Sequence, residues 1–273
     1  MNTLNFVTAG MPLATGTKGY KRAFEILNEM SLDGLELEFV HGVRISEPNK
    51  ELVKNSPLIK TIHAPFYINL NSKEEEKVEA SVQRILETAR VANEVGAYSI
   101  TYHAAFYMGA DKETVFKQVK EQTKIITDIL SDENIKVWVR PETTGKGTQW
   151  GDLDEIINLS KEFEYVLPCV DFAHLHARYN GISNTYDEFS KIFEKIEKEL
   201  SDKKPLENFH AHVAGIAYGD KGEKHHLNLE ESDFNYKDLL KAFKAFDVKG
   251  VVVCESPNIE TDCKLLKDYY KSL

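Results

Sequence analysis

A single (β/α)8 barrel of the TIM type is the fold this sequence predicts, on three observations. Short β-rich apolar runs alternate with long amphipathic ones from end to end, the alternation repeats eight times, and the 273 residues match the ~250 typical of such a barrel. The β-rich runs place strands at 4–9, 34–40, 58–63, 99–103, 136–141, 165–171, 208–212 and 250–255. Helical periodicity fills the intervals at 18–30, a short 49–54, 73–95, 112–130, 153–163, 186–199 and 236–246, and a last helix at 260–270 completes eight pairs. An open doubly wound sheet should instead show a Gly-rich turn after its first strand. Gly10, Gly16 and Gly19 do not give G-x-G-x-x-G, and no G-x-x-x-x-G-K-[ST] exists, so no nucleotide cofactor is expected. The nearest approach, Gly145-Lys146-Gly147-Thr148, follows a Glu-ended strand and reads as a loop. No G-x-S-x-G nucleophile elbow appears.

Composition narrows the class further. With 42% apolar and 29% charged residues, 15 Gly and 8 Pro, the chain can bury one substantial core, and no linker-like stretch divides it, so residues 1–273 are expected to form one domain. The net charge of −10 excludes holding nucleic acid by bulk positive charge and leaves only a local basic cleft for that purpose. Cys169, Cys254 and Cys263 are odd in number and lack C-x-x-C spacing, so neither a disulfide framework nor a thiolate zinc module is expected. Cys169 and Cys254 fall inside core strands, which argues against a thiol mechanism. No basic region followed by an apolar run opens the chain, and no uncharged run approaches the ~18 residues of a membrane span. A cytoplasmic protein without a membrane partner is expected.

Chemistry in such a barrel is built where the strands end. The third strand ends at His63, the fourth at His103, the fifth at Glu142, the sixth at Asp171, the seventh at His212 and the eighth at Glu255. His174 follows Asp171 by three residues, and Glu223, His225 and His226 lie in the loop after the seventh strand. Each alone has an ordinary explanation as a satisfied core histidine or a helix cap. Six on consecutive strands do not, because carboxylates crowded at one mouth repel unless a cation holds them. Imidazole and carboxylate without thiolate suit Zn²⁺ first, then Mn²⁺ or Fe²⁺. Three protein ligands and a water complete a catalytic zinc, so the surplus points to two or three ions and to phosphoester hydrolysis. Within the seventh strand His210 and His212 share a face, and His212 is preferred as nearer the carboxyl end.

In order, these segments resemble the endonuclease IV family of apurinic/apyrimidinic endonucleases, in the xylose isomerase-like barrel superfamily. The resemblance rests on His-Ala-Pro-Phe-Tyr-Ile-Asn-Leu from His63, Tyr102-His103, Glu142-Thr143-Thr144-Gly145-Lys146-Gly147, Cys169-Val170-Asp171-Phe172-Ala173-His174, His212-Val213, Glu223-Lys224-His225 and Glu255-Ser256-Pro257. It implies a first zinc on His63, His103 and Glu142, with Glu142 bridging to a second on Asp171, His212 and Glu255, and a third on His174, Glu223 and His225. It implies cleavage 5′ to an abasic site in DNA by metal-activated water, with Glu142 and Glu255 as the catalytic candidates. Phe66 and Tyr67 sit where the family inserts wedges into the duplex, and Arg44 where it places a minor-groove arginine. Phosphate contacts fall to Lys146, Arg178, Lys221 and Lys224.

The chain departs from that pattern at several points. Glu223-Lys224-His225 stands for Asp-x-His, Ala104-Ala105 for the Pro-Gly after the fourth-strand histidine, and His212-Val213-Ala214-Gly215 for His-Leu-Asn-Asp. Residues 34–39, Gly-Leu-Glu-Leu-Glu-Phe, look more like the sugar isomerase branch. The rival reading is therefore a single-metal sugar isomerase or epimerase on the same barrel, using Glu142, Asp171, His212 and Glu255. It leaves His63, His103, His174 and the 223–225 triplet unexplained.

Overall fold

The computed structural model describes residues 1–273. Its strands are β1 (Leu4–Ala9), β2 (Gly34–Glu38), β3 (Ile59–His63), β4 (Ser99–Tyr102), β5 (Ala105–Phe106), β6 (Trp138–Pro141), β7 (Gln149–Trp150), β8 (Val170–Asp171), β9 (Phe209–Val213), β10 (Gly215–Gly219), β11 (Gly222–Leu227) and β12 (Gly250–Cys254). Its helices are α1 (Gly19–Glu29), α2 (Glu47–Asn55), α3 (Glu75–Val95), α4 (Lys112–Asp132), α5 (Leu153–Glu162), α6 (Phe172–Arg178), α7 (Tyr186–Glu199), α8 (Tyr236–Ala245) and α9 (Glu260–Ser272). Eight strands form one sheet in the order β6-β4-β3-β2-β1-β12-β9-β8. The segment that ends in β8 also bridges back, since Val166 pairs in parallel with Val139 of β6. Its chain is thus hydrogen-bonded on both sides, the closed (β/α)8 arrangement that the eightfold alternation predicts.

All eight expected strands and all eight expected helices are present. The sixth strand is thinner than its composition predicts: a bridge at Val166 and the pair Val170–Asp171 replace a continuous run over 165–171. Pro168 lies between the two pieces and has no N–H to give a ladder.

The residue contacts gather into two compact units. One comprises Met1–Glu36, Gly145–Gly147 and Cys169–Leu273. Here β1 pairs β12 from Leu4↔Gly250 to Thr8↔Cys254, β12 pairs β9 from Gly250↔Phe209 to Cys254↔Val213, and β8 pairs β9 with Asp171↔His212. Phe172, Phe193, Phe209 and Phe243 pack ring against ring between helices and sheet. An antiparallel hairpin, β10–β11, was not expected from the sequence, nor was α6. With seven residues α6 is too short to show a period, and it is started by Asp171, whose Oδ1 accepts the His174 N–H at 2.6 Å.

The other unit comprises Leu37–Thr144 and Thr148–Pro168. Its β3, β4 and β6 are parallel neighbours, with Ile62↔Ile100, His63↔Thr101 and Tyr102↔Pro141 in register. The buried Ile62, Ile85, Ile100, Val119 and Val139 form its interior. The short antiparallel pair β5–β7, Ala105↔Trp150 and Phe106↔Gln149, closes it beyond the end of β4. No helix is long and apolar enough to cross a membrane.

Candidate metal centre

In the unit that holds β3, β4 and β6, parallel register sets the ends of three neighbouring strands at one level. His63 closes β3, His103 follows β4, and Glu142 follows β6, with the Glu142 N–H donating to the Tyr102 carbonyl at 3.0 Å. His63 Nε2 lies 3.2 Å from Glu142 Oε2, and His103 Nε2 lies 3.3 Å from Glu142 Oε1. His63 Nδ1 lies 2.8 Å from the Ala64 carbonyl. A carbonyl only accepts, so Nδ1 carries the ring proton, and a neutral His63 turns the Nε2 lone pair on a carboxylate oxygen. Two acceptors at that distance need a cation between them. Gly151 is required close by: at φ +132°, a Cβ there would sit 2.9 Å from the Glu142 carbonyl oxygen.

In the unit that holds β8, β9 and β12, the same excess of acceptors recurs. His174 has Asp171 Oδ2 3.3 Å from Nδ1 and Glu223 Oε2 3.5 Å from Nε2. His212 has Glu36 Oε1 3.1 Å from Nε2 and Glu255 Oε1 3.2 Å from Nδ1. A neutral imidazole has one N–H, so each ring faces one carboxylate more than it can donate to. Either a second ring proton or a metal ion supplies the missing positive charge. At His174 the separations fit the metal: ligand atoms placed tetrahedrally at zinc's ordinary bond lengths stand about 3.3–3.5 Å apart, wider than a charge-assisted hydrogen bond. The donor set, imidazole nitrogen and carboxylate oxygen without thiolate, suits zinc, manganese or iron(II). Potential ligand atoms lie within 4.8 Å of one another in the set His63, His103 and Glu142, and again in the set Asp171, His174 and His226.

The second set contains a correction. His225, expected beside His174 and Glu223, is exposed on β11, and the neighbouring His226 takes its place, with its ring 5.6 Å from that of His174 and Nε2 4.0 Å from Glu255 Oε2. The cause is a bulge: Ala217 pairs with His225 but Tyr218 pairs with Glu223, leaving Lys224 extra. One added residue resets the alternation of sides, so His226 rather than His225 faces inward with Glu223. Glu223 itself is held against the 145–147 loop, its N–H donating to the Gly145 carbonyl at 2.9 Å. A Cβ on Gly145 would lie 2.6 Å from Glu223 Cβ and 3.1 Å from His174 Cδ2, so this loop approaches only as glycine.

The residues expected to contact DNA differ in exposure. Phe66 and Tyr67 are 58% and 60% exposed, with the Phe66 ring 6.0 Å from that of His63. Arg44, Lys221 and Lys224 are exposed. Lys146 and Arg178 are half-buried, and Arg178 Nη1 donates to the Lys146 carbonyl at 2.6 Å.

Glu36 is not among the residues that the strand ends point to, and His210 lies one alternation before the preferred His212. Both are fully buried, with Glu36 Oε2 3.3 Å from His210 Nε2. Burial works to raise the Glu36 carboxyl, but the two histidine rings beside it outweigh burial and hold the group below the usual carboxylate range. The available signal was a glutamate inside an apolar strand, on the face opposite Leu35 and Leu37. All three cysteines are buried and outside any disulfide, and burial pushes the Cys254 thiol up to about 12, as expected of inert structural thiols.

A family model described as a xylose isomerase-like TIM barrel matches residues 24–272. An uncharacterised protein of Methanocaldococcus jannaschii is 44% identical over 272 residues, 99% of this chain and 98% of its own. A probable endonuclease 4 of Carboxydothermus hydrogenoformans is 30% identical over 254 residues, 88% of this chain and 80% of its own. Among solved structures, endonuclease IV of Thermus thermophilus superposes with a TM-score of 0.74 at 17% identity, covering 99% of this chain and 100% of its own. A D-tagatose 3-epimerase-like protein superposes with a TM-score of 0.73 at 19% identity, covering 97% and 96%. At those identities the two structures speak for the fold alone.

Proposed function

Because the chain belongs to the xylose isomerase-like TIM barrel family, we propose that it is a metal-dependent phosphodiesterase that hydrolyses DNA 5′ to an abasic site, as one 1–273 barrel domain working in the cytoplasm. The observation that carries this reading is the ligand surplus. His63, His103 and Glu142 form one set, Asp171, His174 and His226 form another, and Glu223, His212 and Glu255 stand within reach of members of the second. That is more than one ion uses. A single-metal sugar isomerase or epimerase accounts for neither His63 and His103 nor the hairpin residues.

Zinc bound by these residues would lower the pKa of water and stabilise charge on phosphoryl oxygens. The chain's own groups do the rest. Glu142, with one oxygen toward each of two histidines, orients the attacking water and takes its proton. Phe66 and Tyr67 fill the gap left by an extruded nucleotide. Arg44, Lys146, Arg178, Lys221 and Lys224 meet phosphates, supplying locally the positive charge that a chain of net charge −10 lacks overall.

Elemental analysis of the untagged protein, paired with cleavage of a duplex carrying one abasic site, tests the reading. Two or three zinc ions and a cut 5′ to the lesion are expected, with Glu142→Gln keeping the fold but lowering cleavage ~10²–10⁴-fold. Near-normal cleavage by that variant overturns the mechanism. One Mn²⁺ or Mg²⁺ with no cutting replaces it by the sugar isomerase or epimerase.

A further inference from the structure

We propose that Glu36 is the positioning residue for His212: its carboxylate fixes which ring nitrogen carries the proton and thereby presents Nδ1, beside Glu255, to a metal ion. The inference rests on the reading of His212 as a metal ligand.

Glu36 lies in the middle of β2, fully buried, and His210 and His212 are the donor groups that face it, at 3.3 Å from Oε2 and 3.1 Å from Oε1. The two histidines alternate with Ala211 on β9, so they share a side and reach the two oxygens of one carboxylate. A carboxylate only accepts, and in a site sealed from water it must draw its hydrogen bonds from the protein. A buried negative charge within 3.3 Å of each ring nitrogen favours the proton on both Nε2 atoms. Glu255, the other carboxylate on the His212 ring, keeps some contact with solvent and depends less on that ring for a donor.

With its single proton held on Nε2 beside Glu36, a neutral His212 keeps the lone pair on Nδ1, 3.2 Å from Glu255 Oε1. Nitrogen and oxygen then stand as two ligand atoms of one coordination sphere, and the buried carboxylate behind the ring holds its tautomer and its angle. Metal-bound histidines habitually hand their second N–H to such a carboxylate, and losing that partner costs ~10–100-fold in metal affinity.

The test uses the full chain with zinc as the probe. Zinc affinity is measured by chelator competition for the wild type, Glu36→Gln and His210→Gln, and ¹⁵N NMR of the metal-free protein reads which nitrogen of each ring is protonated. Glutamine offers one acceptor and one donor, so in Glu36→Gln the two rings can no longer both donate to it. His212 is expected as the Nε2–H tautomer in the wild type. Glu36→Gln is expected to bind zinc ~10–100-fold more weakly. His210→Gln disturbs the same buried cluster yet leaves Glu36 on His212, so its affinity stays near that of the wild type. Equal losses in the two variants, unchanged affinity in Glu36→Gln, or an Nδ1–H His212 in the wild type overturns the positioning role alone. A wild-type chain that takes up no zinc overturns the ligand reading beneath it, whatever the tautomer.

Discussion

The two ligand groups are built by different means. His63, His103 and Glu142 come from the ends of three adjacent parallel strands, where an unbroken ladder carries each residue to the same level. Asp171, His174, Glu223 and His226 need more devices: a strand end, the first turn of a short helix, and a bulged hairpin whose position depends on a glycine loop. A group set by parallel register is fixed by the sheet that makes the fold. A group set by a hairpin depends on local contacts that can be lost while the sheet survives. Substitutions in the hairpin region should therefore change metal content selectively, leaving the strand-end group loaded.

The largest effect is expected at the bulge. His226→Ala should remove one metal equivalent, weakening that site by more than the ~10–100-fold that a supporting partner costs, while His225→Ala should leave the metal count unchanged. Elemental analysis of the two purified variants checks it. Retained metal in His226→Ala together with loss in His225→Ala would mean that β11 is paired without its bulge in solution.

That pair of neighbours also marks where sequence reading stops. The strand-end residues were legible because parallel strands without insertions carry a one-to-one count from residue number to position, and the (β/α)8 alternation was legible for the same reason. The bulge at Lys224 was not, since an extra residue in a hairpin leaves no trace in the alternation of polar and apolar side chains over only six residues. Glu36 is not legible from the strand ends, because it lies mid-strand in β2. Pro168 thinned the sixth strand for a reason visible in the sequence, its missing N–H, although the run around it is apolar enough to predict a full strand.

A smaller effect is expected where the hairpin meets the 145–147 loop. In Gly145→Ala the new methyl would lie 2.6 Å from Glu223 Cβ and 2.7 Å from Glu223 Oε2, so either the loop or the hairpin must move. Strain of this kind costs ~1–3 kcal/mol. Thermal unfolding should register it, and Glu223 should be displaced from His174, with weaker zinc binding at that group and unaltered binding at His63, His103 and Glu142. Equal weakening at both groups would break the contrast between them.

The smallest effect concerns the tether on the far strand of the hairpin. Tyr218 of β10 donates its hydroxyl to Asp233 Oδ2 at 2.6 Å, and the other oxygen of Asp233 lies 3.2 Å from Nε2 of the buried His176 on α6. The Asp233 carboxylate as hydrogen-bond acceptor, then burial, push the Tyr218 hydroxyl up to about 12. A tyrosine raised in the folded state contributes its stability fully below the ordinary value of 10 and loses it as pH rises through 12. Alkaline titration of tyrosinate absorbance should therefore show one residue ionising earlier in Asp233→Asn than in the wild type, because the neutral amide no longer favours the protonated phenol. The hydrogen bond is partly solvated, so at neutral pH its loss should cost only ~0.5–1 kcal/mol. That cost should fall on the hairpin and its ligands, Glu223 and His226, and spare the strand-end group. An unchanged tyrosine titration in Asp233→Asn would mean that the hairpin is held by its ladder and by the Gly145 loop alone, and the difference between the two regions would then rest on those two contacts.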